Sequence, residues 1–253
     1  MGATRFEYRH RFILHVILFV LGFTAPWMYL PIWPTAGESA RALSEPAWLA
    51  LSTQLYRLGV LTYSDAVHII LVLALLLTAL GAFFRIWGAA YIGNATITSG
   101  NMRGDRLLAD GPYRRTRNPL YLGTILHTLG IALLMPPSGA LFAIVTLWIL
   151  QLRLAFAEES FLTQRFGEAY TAYKNTVPRF LPPLKPLLPS AGTTPHWLSA
   201  ILGEFYFLGA FLTLAIFGWS FDRNLLHQGL IVSFGIAIVI HGFLLTRKPA
   251  SAF

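Results

Sequence analysis

Residues 66–92 run AVHIILVLALLLTALGAFFRIWGAAYI, an apolar stretch interrupted by a single charge, Arg85. No arrangement but a helix satisfies the backbone of such a run in hydrocarbon without a closed barrel. Five further runs, at about 11–30, 119–135, 139–157, 197–219 and 225–246, each approach the ~17–25 residues a spanning helix needs. The sequence therefore predicts an all-α fold, a polytopic membrane helical bundle of about six transmembrane helices. Composition agrees: 55% of residues are hydrophobic and 12% charged, where a soluble domain carries roughly a quarter charged. The first run could be mistaken for a signal peptide, but its apolar stretch exceeds the 7–15 residues of a signal core. Trp27, Tyr29 and Trp33 after it read as an interfacial belt, so it is an uncleaved anchor.

The net charge of +8 would suggest nucleic acid in a soluble chain, so the placement of the cations matters. With a cytoplasmic N-terminus, 14 of the 19 Lys and Arg fall inside, and only Arg41, Arg57 and Arg223 fall outside. Arg85 and Arg153 sit near inner ends of spans. By the positive-inside rule this fits six spans with both termini cytoplasmic. The cations are spread over short segments without an aromatic-interleaved groove, which removes nucleic acid as a partner. There is no cysteine, which excludes disulfides, thiolate zinc and thiol nucleophiles but leaves the compartment open. The expected location is the cytoplasmic membrane of a prokaryote or the endoplasmic reticulum of a eukaryote.

The connections divide the chain. Residues 1–65 hold the first span and an outer segment, 31–65, in which Ser44-Glu45-Pro46 is a helix-start signal and Trp48, Leu51, Leu55 and Leu58 follow at helical spacing. This reads as a short helix on the outer surface. Residues 66–183 form a core in which Met135-Pro136-Pro137-Ser138-Gly139 is short enough to force an antiparallel hairpin between spans three and four. Residues 184–253 hold a proline-rich link and two last spans; the prolines between 178 and 195 forbid a continuous helix.

Two polar constellations meet at the cytoplasmic end of that hairpin. In Tyr113-Arg114-Arg115-Thr116-Arg117-Asn118-Pro119-Leu120-Tyr121-Leu122-Gly123, Pro119 is suited to a first helical position and Asn118 to the N-cap. A helix N-terminus among arginines suits a carboxylate or phosphate, although basic residues there also serve as a topological stop. The second constellation is Glu158-Glu159. Helical neighbours point about 100° apart, so the pair is no chelating claw: one carboxylate can face a cavity while the other meets a different partner. Carboxylates at the hydrocarbon boundary are costly unless paired, which makes them a site hypothesis; pairing with Arg153 or Arg165 is the alternative.

Gly111-Pro112-Tyr113, the block Arg117-Asn118-Pro119-Leu120-Tyr121-Leu122-Gly123, Glu158-Glu159, and Phe166-Gly167 through Val177-Pro178-Arg179-Phe180-Leu181-Pro182 resemble the integral membrane methyltransferases that include isoprenylcysteine carboxyl methyltransferase and the phospholipid methyltransferases. The resemblance spans about residues 80–183. It implies S-adenosyl-L-methionine as cofactor, held at the cytoplasmic face by Arg117, Asn118, Pro119, Tyr121, Leu122, Gly123, Glu158 and Glu159, with Tyr113 and Arg179 as neighbours. It also implies a lipid-like or apolar methyl acceptor, a carboxylate or an amine, entering from the bilayer. The family's usual histidine is Asn118 here, which cannot titrate near neutral pH; an amine acceptor would need another base.

Catalytic candidates are few: His127 on span three and Arg153 on span four. Glu204 and His241 lie beyond the matched stretch, His15 and His68 read as packing residues, and Arg85 reads as snorkelling, with a cofactor contact as its alternative. No metal site is expected. A membrane NADPH-dependent reductase of the sterol reductase type is the alternative enzyme, disfavoured because a pyrophosphate calls for cations where Glu158-Glu159 stands. A transporter or lipid-binding scaffold is the non-catalytic alternative, disfavoured by spans that look unbroken.

Overall fold

The apolar runs are helical in the computed structural model, which describes residues 2–25, 45–97, 102 and 107–246. Trp27, Tyr29, Trp33, Ser44, Arg41, Arg103, Arg106, Arg247 and Lys248, on which parts of the belt, cap and charge readings rest, lie outside the described residues. Among the described residues there is no strand.

A short helix α1 (Arg5–Arg9) opens with a capping box, Thr4 accepting from the N–H of Glu7 while Glu7 accepts from that of Thr4. It leads into α2 (Arg11–Thr24). Then come α3 (Ala47–Arg57), α4 (Tyr63–Ile92) and the single turn α5 (Asn94–Ile97). A 3₁₀ turn, Gly111–Arg114, precedes α6 (Pro119–Ala132), α7 (Pro137–Phe166) and α8 (Glu168–Thr176). The chain ends in α9 (Trp197–Gly203), α10 (Phe205–Ser220) and α11 (Arg223–Thr246).

By length and composition α4, α7 and α11 can each cross a membrane, and α9 with α10, bent by 69° at their junction, is long and apolar enough to do so as a pair. The bend corrects the expectation of unbroken spans. The polar Glu204 sits at the break. Helices α2 and α6, of 14 residues each, are shorter apolar helices. The fourth run continues as helix to Phe166, so Glu158-Glu159 lies within α7. Helix α3 occupies the expected stretch, but it is held by packing instead of a side-chain cap: the N–H groups of Ala47 and Trp48 donate to the carbonyls of Met135 and Leu133, and buried Trp48 meets Phe217 edge-on at 5.9 Å. It is tucked onto the hairpin turn.

Helix α4 packs along α6, where two glycines bring the backbones together. A Cβ at Gly123 would lie 2.7 Å from the Gly81 carbonyl oxygen, and one at Gly81 2.8 Å from that of Gly123. In lipid, close approach of small residues supplies the packing that hydrophobic burial supplies in water. On one side α6 leads to α7 and then α2; on the other α4 leads to α9, α10 and α11. The helices thus form an arc, with α2 and α11 at its ends.

Candidate active site

The arc encloses a cavity of about 1390 Å³. Its mouth is apolar: Val16, Ile17 and Val20 of α2 and Ile231, Phe234 and Ile238 of α11 line it and are also exposed on the outside of the bundle. Its inner end is polar, formed by Tyr8, Arg11, Tyr113, Arg117, Asn118, Tyr121 and Glu158.

The two glutamates have separated. Glu159 is turned from the cavity into a clamp. It accepts from Arg179 Nε and Nη2, both at 2.9 Å, from Arg117 Nε at 3.2 Å and Nη2 at 3.4 Å, and from Asn118 Nδ2 at 3.0 Å. Arg117 completes its bonding on the carbonyls of Lys174 and Val177. Asn118 occupies the N-cap position of α6 but makes no capping bond; its amide serves the clamp, which leaves the first-turn N–H groups of α6 without that cap. The Glu159 carboxylate holds the Arg179 guanidinium pKa above its ordinary value. Glu158 lines the cavity, accepting from the Tyr8 hydroxyl at 2.8 Å, and Tyr121 stands in the same wall. Arg11 of α2, also in the wall, donates to the Tyr8 carbonyl at 2.7 Å and lies over the Tyr8 ring at 4.3 Å. Tyr113 lies buried in the same wall with no hydrogen-bond partner for its hydroxyl, whose pKa burial pushes up.

Of the residues singled out from sequence, Tyr113, Arg117, Asn118, Pro119, Tyr121, His127 and Glu158 line one cavity. Leu122, Gly123, Glu159 and Arg179 do not: Gly123 is spent on the α4 contact, and the other three are a packing residue and two clamp members. Arg153, the other catalytic candidate, lies elsewhere. It is absent from the cavity wall and forms a two-point pair with Glu7, both bonds 2.8 Å, and chiefly this bond lowers the Glu7 pKa to about 2. Arg85 is corrected. It is buried, not snorkelling, and donates to Glu204 through Nε at 2.8 Å and Nη2 at 2.7 Å. Glu204, set aside for its distance in sequence, is thereby part of the cavity. Tyr8 and Arg11 went unnoticed; their only sequence signal was their place beside an anchor rich in basic residues.

A strap, the 183–193 stretch, is tied down onto residues 110–115. Asp110 accepts from the Ser190 hydroxyl and the N–H groups of Ala191, Thr193 and Gly111. Burial alone would raise its pKa, but these donors, Thr193 and Gly111 first, outweigh it and bring the value to about 2. Arg114 donates to the carbonyl of Leu188, and Arg115 to those of Pro183 and Leu184. No group of three or more His, Cys, Asp or Glu that could hold a metal occurs among the described residues.

Residues 69–169 match the family model described as phospholipid methyltransferase. Among curated proteins, the chain is 35% identical over 78 residues to the protein-S-isoprenylcysteine O-methyltransferase of Schizosaccharomyces pombe, a match covering 30% of this chain and 33% of that relative. The chain thus spans about a third of that relative's length. It is 29% identical over 163 residues to the cobalt-zinc-cadmium resistance protein CzcN of Cupriavidus metallidurans, covering 62% of this chain and 71% of that protein. No solved structure matches.

Proposed function

Since its residues 69–169 match the family model described as phospholipid methyltransferase, we propose that the protein is an integral membrane S-adenosylmethionine-dependent methyltransferase acting on a lipid-like acceptor. The observation that carries the reading is a single cavity joining a polar inner end, built around Glu158, to an apolar mouth between α2 and α11. The first suits a small zwitterionic cofactor and the second an amphiphile entering sideways.

The residues present fit the cofactor. Glu158 offers a carboxylate to its ammonium, and the uncapped first turn of α6, at Leu120 and Tyr121, offers N–H groups and a positive dipole end to its carboxylate. The unpartnered Tyr113 hydroxyl supplies another donor. When bound, S-adenosylmethionine carries the methyl on a sulfonium, so the leaving group is built into it. The chain's task is to bind, orient and keep water out. Tyr8 holds the Glu158 carboxylate in place, the clamp on Glu159 fixes the entry to α6, and the strap ties down the segment that leads into it.

Titration of the purified protein in nanodiscs with S-adenosylhomocysteine and with NADPH tests the reading. Saturable binding of the first supports it; binding of NADPH alone replaces it with the reductase. The topology proposed with this function keeps both termini cytoplasmic.

A further inference from the structure

The inner end of the cavity leaves a second set of polar groups unexplained. Asn118 at the N-cap of α6 and Tyr121, Thr124 and His127 within it recur at every third position and all line the cavity. His127 lies about 9 Å deeper than Tyr121, at a rise of ~1.5 Å per residue. It is 1% exposed, and neither Nδ1 nor Nε2 has a hydrogen-bond partner. The rings of Phe207 and Tyr206 pack edge-on against it at 4.7 and 5.5 Å. It is fixed in place, because a Cβ at Gly81 would come within 2.8 Å of its backbone nitrogen. Buried polar groups are nearly always hydrogen-bonded, so an imidazole idle at both nitrogens marks a ligand position.

The surroundings say what kind of ligand. The nearby charges, Arg85 and Glu204, are spent on each other through two bonds, and Arg85 also lies 4.6 Å over the Phe207 ring and donates to Thr124 at 3.4 Å. Among the described residues beside His127, no counter-ion is left over for an ammonium or a carboxylate stripped of its water. An uncharged imidazole presents one donor and one acceptor, and the head that matches both is one that donates and accepts without charge. We infer that His127 anchors the head of the methyl acceptor, and that this acceptor is an apolar-tailed molecule bearing an uncharged hydroxyl or amine. The inference rests on the methyltransferase reading for the ligand's role as acceptor; the binding preference rests on the cavity alone.

The test uses the full chain labelled with ¹⁵N-histidine in nanodiscs, with the His127 signals assigned by their absence in His127→Phe. The probes are 1-dodecanol and 4-dodecylaniline against dodecyl methyl ether, dodecanoate and dodecyltrimethylammonium. The alcohol or the aniline is expected to move the His127 ring nitrogen signals and to bind at least about fivefold more tightly than the ether, which only accepts; which of the two does so separates hydroxyl from amine. His127→Gln, which keeps a donor and an acceptor, retains the preference, and His127→Phe loses it. Equal affinity for alcohol, aniline and ether in the wild type, or tightest binding of dodecanoate or the quaternary ammonium, overturns the inference. S-adenosylhomocysteine affinity, measured on the same sample, reports separately on the cofactor reading.

Discussion

Replacing Glu159 by Gln is expected to damage the fold, whereas replacing Glu158 by Gln is expected to damage binding. The Glu159 side chain is 7% exposed and faces Arg117 at 8% and Arg179 at 33%. Removing one partner of a buried ion pair costs ~3–5 kcal/mol, mostly through the charge left behind. The Gln carbonyl still accepts one bond, and Arg117 keeps its bonds to the carbonyls of Lys174 and Val177, so the lower end applies. Arg179, a third exposed, adds little because water screens it. The expected loss is thus about 3 kcal/mol, roughly two orders of magnitude in the folding equilibrium. At position 158 the Gln carbonyl continues to accept from Tyr8, so the fold should lose about 1 kcal/mol or less, while the lost charge weakens S-adenosylhomocysteine binding by ~1.5–3 kcal/mol. Unfolding in SDS-mixed micelles, read by pulse proteolysis, gives the first quantity and equilibrium titration the second. A Glu159→Gln protein within about 0.5 kcal/mol of wild type, or a Glu158→Gln protein less stable than it, would refute the division of labour between the two carboxylates.

The strap should loosen in acid. Asp110 has a folded pKa of about 2 against an unfolded value of about 3.9, so its contribution is complete above pH ~4 and disappears as pH falls through 2; proteolysis of the 183–193 stretch should rise over that window, and Asp110→Asn should raise it already at pH 7. Single cysteines introduced at Leu58 and at Glu168, convenient because the chain has none, should label from opposite sides of the membrane; labelling from one side refutes the proposed topology. Gly123→Leu drives a side chain against the Gly81 carbonyl and the Arg85 backbone and should cost about 1–3 kcal/mol or more in the same unfolding assay, while a loss below 0.5 kcal/mol would show that α4 and α6 are not locked there.

What the sequence made legible was local. Pro119 marks the start of α6 and the prolines at 136 and 137 its junction with α7, because proline fixes φ wherever it stands. The angular separation of Glu158 and Glu159 follows from helix geometry, although which of them would face the cavity does not. What escaped was set by contacts across long stretches of chain: Arg85 to Glu204, Tyr8 to Glu158, Arg153 to Glu7. A charge inside an apolar run announces that a partner exists, not which one, so Arg85 reads as snorkelling until Glu204 is placed beside it. The break at Glu204 had a signal in Gly203-Glu204 within an apolar run, a weak helix former followed by a charge. Asn118 misled in the opposite way. Its type and position called for a cap, but a buried carboxylate nearby is a stronger claimant for its amide than a neighbouring N–H.

Helix α6 has 14 residues, a length of about 21 Å, against a hydrocarbon core of about 30 Å. The helices beside it, α4 and α7, have 30 residues each, about 45 Å, and they bury most of α6. The start of α6, where Asn118 and Tyr121 stand, is therefore a step recessed between longer neighbours. On the proposed reading an amphiphile meets its methyl donor at that step while its tail stays in lipid.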